Sequence, residues 1–171
     1  MTPGAAAHLA QLNVGRLRFP ADHPEVREFV AAVDRVNLLA EQSAGFVWRY
    51  RAGGGHGDDV DGDPLVIVNM SVWESYGHLH AYVYRSAHGH YVRRRAEWFG
   101  RIETPATVLW WVPVDHRPTP AEGLTRLRYL RTHGPSPRAF TVRCRFDPSG
   151  RREPGRLDGA PRGPRVPRRA R

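Results

Sequence analysis

The apolar positions of the chain change period along its length, and those changes predict the elements. His8 to Val14 (HLAQLNV) alternates apolar and polar, as a half-buried strand does. After Pro20 and Pro24, the residues Val26, Phe29, Val30, Val33, Val36, Leu38 and Leu39 recur at helical spacing as far as Ala44-Gly45, where glycine suits a helix end. Phe46 to Arg51 alternates again as a second strand, and Leu65 to Trp73 (LVIVNMSVW), rich in β-branched residues, is a third. A long helix is predicted from Glu74 to Phe99, with Gly89 as a point of bending. Thr107 to Val112 predicts a fourth strand, Pro118 to Thr132 a shorter helix, and Ala139 to Phe146 a fifth strand.

The first six elements run β-α-β-β-α-β, the ferredoxin-like split βαβ arrangement, an α+β fold with an antiparallel sheet. Residues 6–147 form that domain. Residues 148–171 are predicted to be a disordered Arg/Pro-rich tail, because no apolar periodicity remains to offset the entropy of ordering. On the third strand Val66, Val68, Met70 and Val72 make one wholly apolar face, expected to lie under the two long helices. The opposite face carries Ile67, Asn69, Ser71 and Trp73, and on the first strand Gln11 and Asn13. That mixed face, with Trp48 and Trp110, is expected to be uncovered within one chain. Pairing two such faces in a homodimer, a dimeric α/β barrel, would hide the tryptophans and enclose a cavity.

Composition changes the picture little. The chain has 171 residues, 40% of them hydrophobic, enough for one cored domain. No stretch suits a membrane span or a signal peptide, and a single cysteine, Cys144, excludes an internal disulfide, so a cytoplasmic location is expected. All 26 basic residues are arginine, and the net charge of +9 lies mostly in the tail. Nucleic acid is therefore not expected as a partner beyond nonspecific tail contacts; a small-molecule ligand is.

Tyr84-Arg85-Ser86-Ala87-His88, Arg93 to Phe99 and Val108 to Pro113, with His8 to Asn13 and Ala139-Phe140-Thr141, resemble a bacterial family known only as a domain of unknown function. That family is grouped with the dimeric α/β barrels, alongside antibiotic-biosynthesis monooxygenases and haem-degrading monooxygenases. The resemblance implies the barrel fold and a small-molecule pocket, and transfers no reaction.

The candidate chemistry follows from both lines. Tyr76, His80, Tyr84 and His88 stand four residues apart and are predicted to share one helix face. His88, within the family-like stretch, is the candidate acid–base group, with Asn13 and Tyr84 as catalytic partners. Gln11, Trp48, Asn69, Ser71, Trp73, His80 and Trp110 are the candidate pocket lining. In the haem-degrading relatives an Asn, a Trp and a His occupy elements comparable with those of Asn13, Trp73 and His88, which admits haem as a cofactor. Here, however, Trp73 and His88 are fifteen residues apart, more than that pattern implies. Otherwise no cofactor is expected. No metal is expected either: on a helix, His78 and His80 diverge by about 200°, as do His88 and His90. The acidic run Asp58 to Asp63 lacks the closing glutamate of a calcium loop. Three readings result: a cofactor-independent monooxygenase-like or cyclase-like enzyme on an aromatic or polyketide-type metabolite, a haem-binding or haem-degrading protein, or a non-catalytic ligand-sensing barrel.

Overall fold

The computed structural model describes residues 6–51, 63–85 and 88–154. Four strands, β1 (Ala7–Arg16), β2 (Phe46–Arg49), β3 (Val66–Trp73) and β4 (Thr107–Pro113), form one sheet in the order β2-β3-β1-β4. Every pairing is antiparallel. The helices are α1 (Arg27–Glu41), α2 (Tyr76–Arg85), α3 (His88–Trp98) and α4 (Pro120–His133). Order and connections make this the ferredoxin-like α+β fold that the alternation predicts. Among the described residues no helix is long and apolar enough to cross a membrane.

Local chemistry explains α4. Thr119 caps it by accepting from the Glu122 backbone N–H at 3.2 Å, Pro120 occupies its first turn, and Gly134 follows it at φ 76°. The Glu122 carboxylate then ties the helix to its surroundings. It accepts from Trp110 Nε1 (3.2 Å), lies 2.8 Å from His116 Nε2 and pairs with Arg126.

The two sheet faces are covered the opposite way from that expected. Ala10, Leu12, Val14, Met70, Val72, Val108, Trp110 and Val112 pack against Leu127 and Leu130 of α4. The face of Leu9, Trp73 and Leu109 packs against Ala40 of α1, Leu79 and Tyr82 of α2, and Phe140. Toward the far end of that face, Ile67 joins Leu17, Val26, Phe29, Tyr91 and Trp98. The helices α1 to α3 thus lie over the mixed face, and the apolar face receives α4. Backbone proximity explains the second half: a Cβ on Gly123 would lie 2.4 Å from Leu12 Cδ1, so α4 sits almost on the strand.

Two further elements differ from expectation. The stretch predicted as one long helix contains α2, ending at Arg85, and α3, beginning at His88, with residues 86 and 87 outside the described residues. The predicted fifth strand does not form. Phe140 exchanges two 2.9 Å hydrogen bonds with Leu109, and the chain then turns, with Thr141 N donating to the Cys144 carbonyl. The segment wraps the outer edge of β4, placing Ala139 with the cluster on one face and Phe140 with that on the other. Described chain continues to Pro154, with Arg145 Nε 2.8 Å from Glu153 Oε2. The rest of the expected tail, and the loop from 52 to 62 with most of its acidic run, lie outside the described residues.

Candidate functional site

The candidate residues divide into three places. Gln11, Asn13, Asn69, Ser71 and Trp73 share the face beneath α1 and α2, by the registers Gln11↔Ser71, Asn13↔Asn69 and Leu9↔Trp73. Trp48 and Trp110 belong to the opposite face, and Trp110 is sealed beneath α4. Tyr84 and His80 continue from Tyr76 along the outside of α2, with ring centroids 4.8 and 5.7 Å apart, and Tyr84 is 54% exposed. The expected row of four rings ends at Tyr84, and the His88 ring packs elsewhere.

His88 faces inward. Its ring lies 4.6 Å from the ring of Tyr82, which stacks on Trp73 at 5.1 Å. The His88 side chain therefore sits on the same side of the sheet as the amides. Its Nδ1 is 3.4 Å from the Val83 carbonyl, which can only accept, so Nδ1 carries the proton and Nε2 is the basic nitrogen. Burial lowers the His88 pKa, opposed in part by that carbonyl, and the ring is neutral at pH 7. Burial pushes the Tyr82 phenol well above its ordinary range, and its hydroxyl donates to the Val36 carbonyl at 3.3 Å. Sequence patterning missed Tyr82 as part of this group. Its signal was the three-residue step from the buried Leu79, which puts it on the inner face of α2.

The buried neutral imidazole has a consequence for stability. Below about pH 6.5 the unfolded chain binds a proton at this position that the folded chain resists, so stability falls on acidification. We expect His88→Gln to flatten the decline between that pH and the lowered native value, as read from urea midpoints across pH. An unchanged slope would contradict a buried His88.

Trp73 itself is closed off. It has no exposed surface, meets Phe46 edge-on at 5.5 Å, and donates from Nε1 to Ser71 Oγ at 2.9 Å. It buttresses the site and lines no open space within the chain, which corrects the expectation of an uncovered Trp73 face. Haem fits poorly here, since the slot between Trp73 and Tyr82 is already filled by their stacked rings.

Other clusters are spent on structure. Ser75 Oγ and Glu74 Oε2 both approach Nδ1 of His78, at 3.2 and 3.5 Å, so they cannot act on opposite ring nitrogens as a catalytic triad requires. Of the three consecutive arginines, Arg94 bonds Glu28 and Glu97 and lies 4.8 Å over Trp98, tying α3 to α1. A groove of about 590 Å³ runs along β2, but its Glu41 is paired with Arg49 and Arg51. Among the described residues no cluster could hold a metal ion.

Comparisons with known proteins name no reaction. No curated protein matches the chain. A solved structure of a protein of unknown function from Nitrosomonas europaea is similar, with 11% identity and a TM-score of 0.44, covering 68% of this chain and 98% of that one. A family profile matches residues 8–156, nearly the whole described domain, and the chain belongs to that family, DUF3291, a domain of unknown function.

Proposed function

We propose that the domain binds a small aromatic or polyketide-type metabolite on the helix-covered face of its sheet. It acts on that metabolite without a cofactor, as a monooxygenase-like or cyclase-like enzyme of the antibiotic-biosynthesis-monooxygenase-like superfamily. The observation that carries this reading is His88, held neutral against Tyr82 on the face that bears Gln11, Asn13 and Asn69. An imidazole that is neutral near pH 7 is a base of suitable strength there. It would take a proton from an acidic hydroxyl or activated C–H of the substrate. The resulting electron-rich anion then cyclises or reacts directly with oxygen. Tyr84, on the outer side of α2, takes no part in this step.

Capture of metabolites from a cell extract, followed by mass spectrometry, identifies the substrate. With it in hand, His88→Ala is expected to reduce kcat by roughly 10²–10⁴-fold, the usual contribution of a general base. Retained activity would remove His88 from the mechanism.

The same reading includes a homodimer, formed on the other face. Val68, Trp48 and Tyr50 at the β2–β3 side of that face are only partly buried, while α4 covers the remainder. A second copy placed there would bury these apolar side chains. Light scattering is expected to give twice the chain mass for the native protein and a monomer for Trp48→Glu. A native monomer at micromolar concentration would exclude this interface.

A further inference from the structure

Resting on that reading of the site, we infer its ligand class: an uncharged ring compound with two hydroxyl groups, held through hydrogen bonds that the ligand donates. It follows from the way two carboxamides are oriented. Gln11 Nε2 donates to the Asn69 backbone carbonyl at 3.1 Å. Asn13 Nδ2 donates to the Ala106 carbonyl at 3.3 Å and to Thr107 Oγ1 at 2.7 Å. A carbonyl can only accept, so these contacts fix which end of each amide is nitrogen. Both NH₂ groups are therefore turned toward the protein, and the oxygens Gln11 Oε1 and Asn13 Oδ1 take no hydrogen bond from any described residue.

These oxygens are not sealed either. Among the described residues, the buried unpartnered side-chain atom is His8 Nδ1, elsewhere on the sheet. Beside them Asn69 is exposed, although Met70, Ser71, Val72 and Trp73 after it are all buried, and its side chain makes no hydrogen bond to a described residue. The reason lies in the packing above. The apolar cluster around Trp73, Leu79 and Leu109 is separate from that around Leu17, Trp98 and Ile67, and the amides lie between the two. The amides thus form a polar strip between two apolar clusters, which reaches solvent at Asn69 and offers acceptors.

Acceptor oxygens select for donors. A carboxylate or phosphate placed there would set its negative charge against two amide oxygens, and an ether would leave both without a donor. Gln11 and Asn13 are two residues apart on one strand, so their Cα atoms stand roughly 6–7 Å apart. Asn69, directly across from Asn13, has its Cβ about 5 Å away. Two hydroxyls on one aromatic or reduced ring span such distances. His88 on the same side would accept the proton from one of them.

The test is a titration of uniformly ¹⁵N-labelled full-length protein, following the side-chain NH₂ resonances of Gln11, Asn13 and Asn69. The probes are a dihydroxynaphthalene, its dimethyl ether and naphthoate. The diol is expected to shift all three resonances at least tenfold more strongly at equal concentration than either other probe, and Asn69→Ala to weaken its binding about fivefold or more. Equal or stronger shifts with the ether or naphthoate would overturn the ligand class while leaving a small-molecule site in place. No shift of these resonances with any probe would overturn both.

Discussion

Replacing Trp73 with alanine is expected to destabilise the domain by about 3–5 kcal/mol, the usual loss for deleting a large buried aromatic. The ring has no exposed surface, packs against Phe46 and Tyr82, and gives its only N–H to Ser71. Removing it leaves a void under α2 and takes away the stacking partner that positions Tyr82, and through Tyr82 the ring of His88. A tryptophan lining an open cavity between two protomers would behave otherwise: its loss would change ligand binding and cost little stability. Urea unfolding distinguishes the two, and a loss below about 1 kcal/mol would return Trp73 to an exposed face.

The second large effect is expected at Gly123. A valine there would bring its Cβ within 2.4 Å of Leu12 Cδ1 and 3.2 Å of the Trp110 ring, and neither neighbour has exposed surface through which to relax. Overpacking of this kind costs about 1–3 kcal/mol or more. Because Trp110 would be displaced from Glu122, its fluorescence should change in the folded state as well. Gly77→Ala is the useful contrast. Only Ser75 Oγ lies near its added Cβ, at 3.6 Å, and helix propensity favours alanine, so no loss of melting temperature is expected. Equal melting temperatures for Gly123→Val and the native protein would mean that α4 does not rest on β1 as described.

The strands were readable in the sequence because alternation reports local geometry directly. The runs at Leu12, at Met70 and at Trp110 each fall inside an observed strand. What alternation does not report is which helix covers which face. Both faces of this sheet carry large apolar residues, and the assignment turned on Gly123, whose missing side chain lets a short helix approach the purely apolar face. The amides of the other face looked like cavity lining because a lone Gln or Asn on a strand lacks a visible partner. In the fold, their NH₂ groups find carbonyls at Asn69 of β3 and at Ala106, just before β4, while their oxygens stay open to a ligand.

The site was partly legible for the same reason. Gln11, Asn13, Asn69, Ser71 and Trp73 were expected on one face and share one. His88 joins them by a route that helical periodicity could not show. The four-residue spacing assigned it to the outer row of Tyr84, whereas its ring packs against Tyr82. Ala139 to Phe146 failed as a strand because Thr141 to Cys144 closes a turn, a preference of local hydrogen bonding that an alternating pattern conceals.

The central claim is that the ligand site lies between the sheet and the helices α1 to α3, on the amide face. The most direct test is a set of intermolecular nuclear Overhauser effects between a captured metabolite and the protein. The account predicts contacts to the rings of Tyr82 and His88 and to the side-chain NH₂ of Asn69. Contacts confined to Trp48, Tyr50 and Val68 would place the site on the opposite face and contradict it.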